Sequence, residues 1–268
     1  MRTLTINGKE ISIAENFNEL TAEQLICYIN AFYLKLPNLF WLNEEGEREP
    51  ISNDCYNGLL YGQLLNVLQV EQELYDKFSG EDVIFLIDEM KVINFLLEAS
   101  TLTRNHFQKI NDNLFGPEDD FGDITGNRFL WAEHYYIEFK NNPEDLSNLD
   151  AMVACLCTLL DISFMQIPFD LKTIPDAQKV IAELDLTTKT GILLYFEGCR
   201  NEIPEIYPHV FQGKKKGSSS FKEVLLQVAK DGPFGDFDKV LDTNIHLIYS
   251  ELERVSKEAI EFEKRNKK

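Results

Sequence analysis

The segment FDKVLDTNIHLIYSELERVSKEAIEF, residues 237–262, carries a clear helical pattern. Its apolar residues recur in steps of four and three, which is the spacing of one face of an α-helix and is close to a heptad. A single helix that starts near Asp236 and continues through this segment spans about 39 Å at 1.5 Å per residue, long enough to extend past the body of the protein. The residues on this face are Phe237, Leu241, Ile245, Ile248, Leu252, Val255, Ala259 and Phe262.

Further helices are predicted over most of the chain. Thr21-Ala-Glu-Gln24 matches a capping box, in which the threonine oxygen and the glutamine side chain each bind a backbone amide at the helix start. The segment 83–97 is apolar on several faces, which is typical of a helix at the centre of a bundle. The remaining helices are predicted at residues 52–78, 126–140, 149–160, 174–184, 188–199 and 221–229.

The first residues predict a β-hairpin. Leu4 and Ile6 alternate with polar residues, Asn7-Gly8 is a strong two-residue turn signal, and the alternation resumes at Ile11 and Ile13. A lone hairpin is marginally stable in water, so this one is expected to pack on helices or to join another sheet edge. The sequence therefore predicts a mainly α fold, a multi-helix bundle with a small N-terminal β-hairpin.

These elements divide the chain into three parts. Residues 1–20 form the hairpin, residues 21–212 form the helical core, and residues 213–268 hold a basic loop and the C-terminal helices. The loop, Lys214-Lys-Lys-Gly-Ser-Ser-Ser220, is expected to be flexible because it is short, basic and rich in small residues.

The composition argues against several kinds of partner. Across 268 residues the chain carries 26 basic and 45 acidic side chains, a formal net charge of −19. Binding to nucleic acid depends on clustered Lys and Arg, and the same negative field repels anionic lipid headgroups, so neither partner is expected. The 44% of hydrophobic residues is enough apolar material for a core, so the chain is expected to fold. With nucleic acid and membranes argued against, the expected partner is a protein.

The cysteines indicate a reducing compartment. Their number is odd, their spacing is irregular, and several lie inside apolar runs, which is typical of buried thiols rather than of a secreted disulfide framework. No secretory h-region and no apolar stretch long enough to cross a bilayer is recognisable, so we expect a cytoplasmic protein. The five cysteines are Cys27, Cys55, Cys155, Cys157 and Cys199.

No residue pattern identifies an active site. His134 and Glu138 share a helix face, but zinc and di-iron sites need three or four converging ligands. A helical metal hydrolase that uses this pair is the enzyme alternative, and it predicts bound metal. Cys199 lies beside Arg200, which would lower the pKa of a reactive thiol, although an incidental arginine next to a cysteine at a helix end is more common. We therefore expect a protein that is not an enzyme and that needs no cofactor.

The last helix has two interpretations. The favoured one is an amphipathic helix packed on its own bundle. In the other, its apolar seam inserts into a groove of a partner or of a further copy of the chain, so that deletion of residues 237–268 abolishes binding and leaves the rest folded. The candidate contact residues on this seam are Ile248, Leu252, Val255 and Phe262.

Several stretches, taken together and in this order, resemble a known group of proteins. The likeness covers roughly residues 110–250, and the group consists of poorly characterised proteins encoded in the tail region of tailed phages and prophages of gut bacteria. The stretches are GPEDDFGDITGNRFLWAE at 116–133, NLDAMVAC at 148–155, LYFEGCR at 194–200, IYPHVF at 206–211 and AKDGPFG at 229–235.

This resemblance implies a role in virion morphogenesis. Some of these proteins look like tail assembly chaperones, which bind a tape-measure or tail-tube protein in the host cytoplasm before the tail polymerises. The alternative is a virion component such as a head–tail connector or a tail-completion protein, which remains in the particle. None of the shared stretches is a catalytic signature, so the resemblance assigns no site residue.

Overall fold

The computed structural model describes residues 2–6, 9–35, 41–42, 48–49, 96, 99–161, 163, 165–212, 221–231 and 233–266. The prediction of a mainly helical protein is confirmed, because 67% of these residues are helical and the strands form small antiparallel pairs. The chain forms two compact units, unit 1 (1–102) and unit 2 (103–268). The three-part division predicted from the sequence stays a prediction.

Unit 1 begins with an antiparallel pair of strands, β1 (Arg2–Ile6) and β2 (Lys9–Ile13), in which Leu4 faces Ile11. A second short pair joins β3 (Trp41–Leu42) to β4 (Arg48–Glu49). The packing of the N-terminal hairpin onto helices stays a prediction.

The first helix of unit 1, α1 (Ala22–Tyr28), starts at the predicted capping box. The backbone N–H of Gln24 donates to Oγ1 of Thr21 at 3.2 Å, and the N–H of Thr21 donates to Oε1 of Gln24 at 2.9 Å. The helix continues as a π-helix over Ile29–Lys35. The helices predicted at 52–78 and 83–97 lie outside the described residues, apart from Leu96, whose carbonyl accepts a 2.7 Å hydrogen bond from Tyr28 Oη.

Unit 2 contains most of the described helices. The segments predicted at 126–140, 174–184 and 221–229 are confirmed to within a few residues, and 188–199 is part of a longer helix. The helices are α2 (Gly126–Asn141), α3 (Leu146–Leu156), α4 (Ile174–Ala182), α5 (Leu186–Ile206), α6 (Pro208–Phe211), α7 (Phe221–Asp231), α8 (Phe237–Asp242) and α9 (Ile245–Asn266).

The prediction for α3 placed both ends too late. Asp145 caps the helix by accepting the N–H of Ser147 at 3.0 Å, so α3 starts three residues before the predicted Leu149. The helix stops at Leu156 because the chain then becomes extended and forms β6 (Thr158–Leu159), which pairs antiparallel with β5 (Leu114–Phe115). The local secondary-structure propensity of this segment did not reveal β6, because its partner strand β5 is distant in the sequence.

The prediction of one unbroken C-terminal helix from Asp236 is wrong. The chain leaves the helical conformation at Thr243, and Asn244 forms a bridge with Thr125 at the start of α2. The N–H of Ile245 then donates to the carbonyl of Ile124 at 2.9 Å, and the N–H of Gly126 donates to the carbonyl of Thr243 at 2.9 Å. These exchanges with the α2 N-terminus replace the hydrogen bonds of a continuous helix.

An aromatic cluster forms the centre of unit 2. Phe121 lies 5.6 Å from both Phe129 and Tyr195 and 5.7 Å from Phe196, measured between ring centroids. All four side chains are buried. The cluster joins the loop before α2 to α2 and α5, so it fixes the relative position of these segments of unit 2.

The same loop holds two consecutive left-handed residues, Asp120 with φ 53° and Phe121 with φ 56°. Such conformations are unfavourable for residues with a Cβ and persist only where the surroundings impose them. Here Tyr195 Oη accepts the N–H of Phe121 at 2.9 Å, and Asn244 Nδ2 donates to the carbonyl of Gly122 at 2.9 Å. His246 Nε2 donates to the carbonyl of Asp120 at 2.5 Å. Three side chains, one from α5, one from the residue before α9 and one from α9 itself, therefore hold this turn.

Two buried cations lie at the C-terminal ends of helices. Arg128 Nη1 donates to the carbonyls of Leu156 and Cys157, both at 3.1 Å, at the end of α3. Lys189 Nζ donates to the carbonyl of Ala182, the last residue of α4, at 3.1 Å. A helix C-terminus presents unpaired carbonyls and a partial negative charge, and both of these stabilise the positive charge of each side chain.

Lys189 also faces a carboxylate. Its Nζ lies 2.8 Å from Oδ1 of Asp150 on α3, in an orientation that forms an ion contact without a hydrogen bond to that oxygen. The two side chains are only 7% and 11% exposed, so this is a buried ion pair between α3 and α5.

Candidate protein-binding surface

The first half of α9 is part of the core of unit 2. Ile245, Ile248, Tyr249 and Leu252 are all buried, and α9 packs against α2, α6 and α7. The approach to α2 is close at Gly126, where a Cβ atom would lie 2.8 Å from Cδ1 of Ile248. The favoured interpretation of the sequence, a helix packed on its own unit, therefore applies to this half of α9.

Glu253 ends the docked half of α9 and binds the start of α6. Its Oε2 accepts the backbone N–H groups of His209 at 2.9 Å and Val210 at 3.1 Å, and its Oε1 contacts Nδ1 of His209. Partial burial acts to raise the pKa of Glu253, but the hydrogen bonds from His209 and Val210 outweigh it and hold that pKa below its usual range. The carboxylate therefore stabilises the fold in its charged form.

We expect Glu253→Gln to lower the free energy of unfolding by about 1 kcal/mol at pH 7, because the amide is a weaker acceptor than the carboxylate. The folded pKa of Glu253 lies below its unfolded value. Its contribution is therefore complete above the unfolded pKa, about 4.3, and is lost as the pH falls through the folded pKa. Urea denaturation of both proteins at pH 7 and at pH 3 checks this, and an undiminished difference at pH 3 would contradict it.

Beyond Glu253, α9 leaves the core. We call residues 254–266 the α9 tip. Among the described side chains of the tip none is buried, and Val255 and Phe262 are 39% and 66% exposed. These two residues and Ala259 follow helical spacing, so they form one apolar stripe along about 11 Å of helix at 1.5 Å per residue.

The α9 tip carries charges of both signs. Four basic and three acidic residues lie between Arg254 and Asn266, whereas the whole chain has a net charge of −19. Arg254 pairs with Glu251 and Glu258 on its own helix at 2.7 and 2.6 Å. Exposed ion pairs of this kind contribute little to stability, but they show that the stripe is bordered by charged side chains.

The four contact residues predicted from the sequence fall into two groups. Ile248 and Leu252 lie in the core of unit 2, where their exposed fractions are only 0% and 8%. Val255 and Phe262 lie exposed on the α9 tip, where a partner can reach them. Periodicity could not separate the groups, because a buried stripe and an exposed one have the same spacing.

A second exposed apolar surface was missed by the sequence analysis. We call residues 165–171 the β6 loop; Met165 in it is 66% exposed, and Ile167 and Leu171 are also exposed. The N–H of Ile167 donates to the carbonyl of Leu159 at 2.9 Å, which fixes the loop beside β6. The signal was the apolar run ISFMQIPF at 162–169, which is unusually apolar for a loop.

His134 and Glu138, the pair of the metal-hydrolase alternative, have no further metal ligands grouped with them among the residues that the structure describes. His134 and Glu138 are both exposed on α2, and the neighbours of the His134 ring are Trp131 at 5.6 Å and Tyr135 at 5.2 Å between centroids. Over the described part of the chain, no three His, Cys, Asp or Glu side chains are grouped so that they could hold a metal ion. The immediate surroundings of His134 are thus an aromatic surface.

Cys199 is buried, and its Sγ lies 3.9 Å from the carbonyl oxygen of Thr103. Burial raises the pKa of its thiol above the usual range. The guanidinium of Arg200 is bound to Glu133 by two hydrogen bonds of 2.7 and 2.8 Å. The structure therefore favours the interpretation of Cys199 as a packed thiol, since a reactive cysteine needs its thiolate form.

Comparison of the chain with protein-family models, with curated proteins and with solved structures finds no match. Within the residues that the structure describes, none of the helices combines the length and the apolar content needed to span a membrane.

Proposed function

We propose that the chain is a non-catalytic protein-binding factor in phage tail assembly, a chaperone for a tape-measure or tail-tube protein in the host cytoplasm. The observation that carries the binding role is the α9 tip, where Val255 and Phe262 are exposed on a helix that projects beyond its own core. Apolar side chains at helical spacing are the usual anchors when a helix binds a groove. Phe262 is the anchor with the largest apolar surface.

The phage role is supported by the resemblance of five stretches to tail-region proteins. All five lie in unit 2, and the first and third of them contain the four aromatic residues of its central cluster. The likeness is therefore concentrated in the part of the chain that carries the α9 tip. Because the shared stretches include the central aromatic residues and none of them includes the α9 tip, the likeness concerns the scaffold rather than the binding surface.

In this proposal the mechanism is non-covalent. The α9 tip lays its apolar stripe into an apolar groove of the unassembled tail protein and keeps that surface from aggregating. The docked half of α9 holds the tip through Ile248, Leu252 and the contact of Glu253 with α6. Because the tip is held at one end, less of its conformational freedom is lost on binding than for a disordered segment.

The test is affinity capture of the tagged chain from prophage-induced cells, followed by mass spectrometry of the captured proteins and of purified virions. We expect a soluble complex with a tape-measure or tail-tube protein, and virions that lack the chain. Recovery of portal or connector proteins, together with the chain in virions, would replace the chaperone by a structural virion component. Capture of no tail protein would contradict the proposal.

A further inference from the structure

A shielded histidine nitrogen lies in the first segment of unit 2, residues 103–110. His106 is partly buried, and its Nε2 atom is shielded from solvent and has no hydrogen-bond partner among the residues that the structure describes. A neutral imidazole fits this position when its proton is on Nδ1, because Nε2 then carries only a lone pair. A charged imidazole must place an N–H group there, and a buried donor without an acceptor is unfavourable.

The charged groups around His106 act in opposite directions. The guanidinium of Arg104, on the same segment, disfavours a second positive charge, whereas the carboxylate of Asp119, on the turn before α2, favours one. Burial is the largest effect, and together with Arg104 it holds the pKa of His106 below its usual value, about 6.5. On α5, Cys199 and Tyr195 contact the segment and the adjoining turn, and burial raises the pKa of both, so they stay neutral near pH 7.

The backbone on both sides of His106 is held in place. The N–H of Asn105 donates to Oδ1 of Asp119 at 2.7 Å. The ring of Phe107 packs on Gly191 of α5, so closely that a Cβ atom at Gly191 would overlap it. A movement of the backbone that exposes Nε2 to solvent therefore breaks these contacts.

We propose that His106 is an acid-sensitive switch, in which the neutral imidazole keeps segment 103–110 closed on unit 2 and protonation opens the segment. Opening removes the 2.9 Å hydrogen bond from the N–H of Asp120 to the carbonyl of Thr103. Asn244, just before α9, and His246, in its first turn, bind the same left-handed turn. Acid therefore weakens a support of the start of α9. This inference does not depend on the proposed function.

The direction of the pH dependence follows from the pKa of His106. Opening returns that pKa from its lowered value to the usual value, about 6.5. The closed state therefore binds a proton less readily than the open state, so closure is favoured above pH 6.5 and is progressively lost as the pH falls below it. From pH 7.5 to pH 5.5 the equilibrium constant for opening is expected to rise by up to about tenfold. An ordinary carboxyl group stays ionised over this range, so the histidines are the main side chains that change charge.

The test is hydrogen exchange of peptides that cover residues 103–110 and 117–122, at pH 7.5 and pH 5.5, with rates corrected for the intrinsic effect of pH. In the unaltered chain both peptides are expected to exchange faster at pH 5.5, by up to about tenfold. His106→Phe keeps a planar ring that cannot be protonated. Its corrected rates are expected to be the same at both pH values. Corrected rates that do not rise in the unaltered chain would overturn the inference.

His134→Phe is the matched control, because it makes the same substitution at an exposed histidine of α2. It is expected to keep the full pH response of the unaltered chain. The other histidines are present in both variants, so their titration does not distinguish the two. An equal pH response of His106→Phe and the unaltered chain would contradict the role of His106.

An NMR titration of the His106 ring in the unaltered chain adds a measurement that needs no variant. The ring is expected to titrate below pH 6.5, together with the rise in exchange of segment 103–110. A ring that titrates while the exchange of the segment stays constant would show that only the side chain turns towards solvent, and this too would overturn the inference.

Discussion

Removal of residues 237–268 is expected to unfold unit 2, whereas removal of residues 254–268 is expected to leave it folded. The longer deletion takes away the buried side chains of Val240, Ile245, Ile248 and Leu252. At about 1.5 to 3 kcal/mol for each buried side chain, the loss is about 6 to 12 kcal/mol. This is comparable with the whole stability of a typical domain, about 5 to 15 kcal/mol.

The shorter deletion removes only residues whose described side chains lie outside the core, and it retains Glu253 and its contact with α6. Hydrogen exchange of peptides from α2 and α5 measures the result directly. We expect protection in these helices to be lost in the longer deletion and kept in the shorter one. Protection that survives removal of 237–268 would show that the whole C-terminal segment is dispensable, as the alternative interpretation of the sequence requires.

Lys189→Met is expected to lower the free energy of unfolding of unit 2 by about 3 to 5 kcal/mol, because it leaves the carboxylate of Asp150 buried without its cation. The double variant Lys189→Met/Asp150→Leu removes both charges and is expected to recover most of this loss. Chemical denaturation followed by Trp131 fluorescence, in a Trp41→Phe background, reports on unit 2 alone, since the chain has only two tryptophans.

The exposed pair of Lys179 and Asp176 provides the matched control. Its Nζ–Oδ1 distance is 2.7 Å, similar to that of the buried pair, but its side chains are 78% and 81% exposed. Lys179→Met is expected to leave the denaturation midpoint unchanged, because solvent screens exposed ion pairs. Equal effects of Lys189→Met and Lys179→Met would show that burial does not govern the energetics of the Asp150 pair.

Local signals in the sequence were sufficient to predict the mainly helical fold class and the residue at which α1 starts. The capping box at Thr21 and Gln24 depends on two residues that are three apart, so it can be recognised from the sequence alone. The break between α8 and α9 depends on the bridge from Asn244 to Thr125, more than a hundred residues away. A pattern of apolar spacing contains no information about such a partner, and the helix was therefore predicted as continuous.

The sequence predicted that an apolar helical stripe would form the candidate surface, but it did not show which residues of the stripe are exposed. Helical spacing identified Val255 and Phe262 as members of an apolar stripe, but it placed Ile248 on the same stripe although that residue is in the core. Whether a stripe is covered depends on α2, α6 and α7, which distant parts of the chain supply. The exposure of Met165 was missed for the same reason, since apolar runs are usually buried.

The central claim is that the α9 tip binds the tail protein, and a comparison of two aspartate variants on one helix tests it most directly. Phe262→Asp and Leu247→Asp place the same charge at residues that are 66% and 56% exposed, on the tip and on the docked half. The measurement is the affinity of each purified variant for the tail protein that the unaltered chain captures. We predict that Phe262→Asp weakens binding about tenfold or more, corresponding to about 1.4 kcal/mol or more. Leu247→Asp is predicted to bind as the unaltered chain does. Equal affinities of the two variants for the tail protein would contradict the claim.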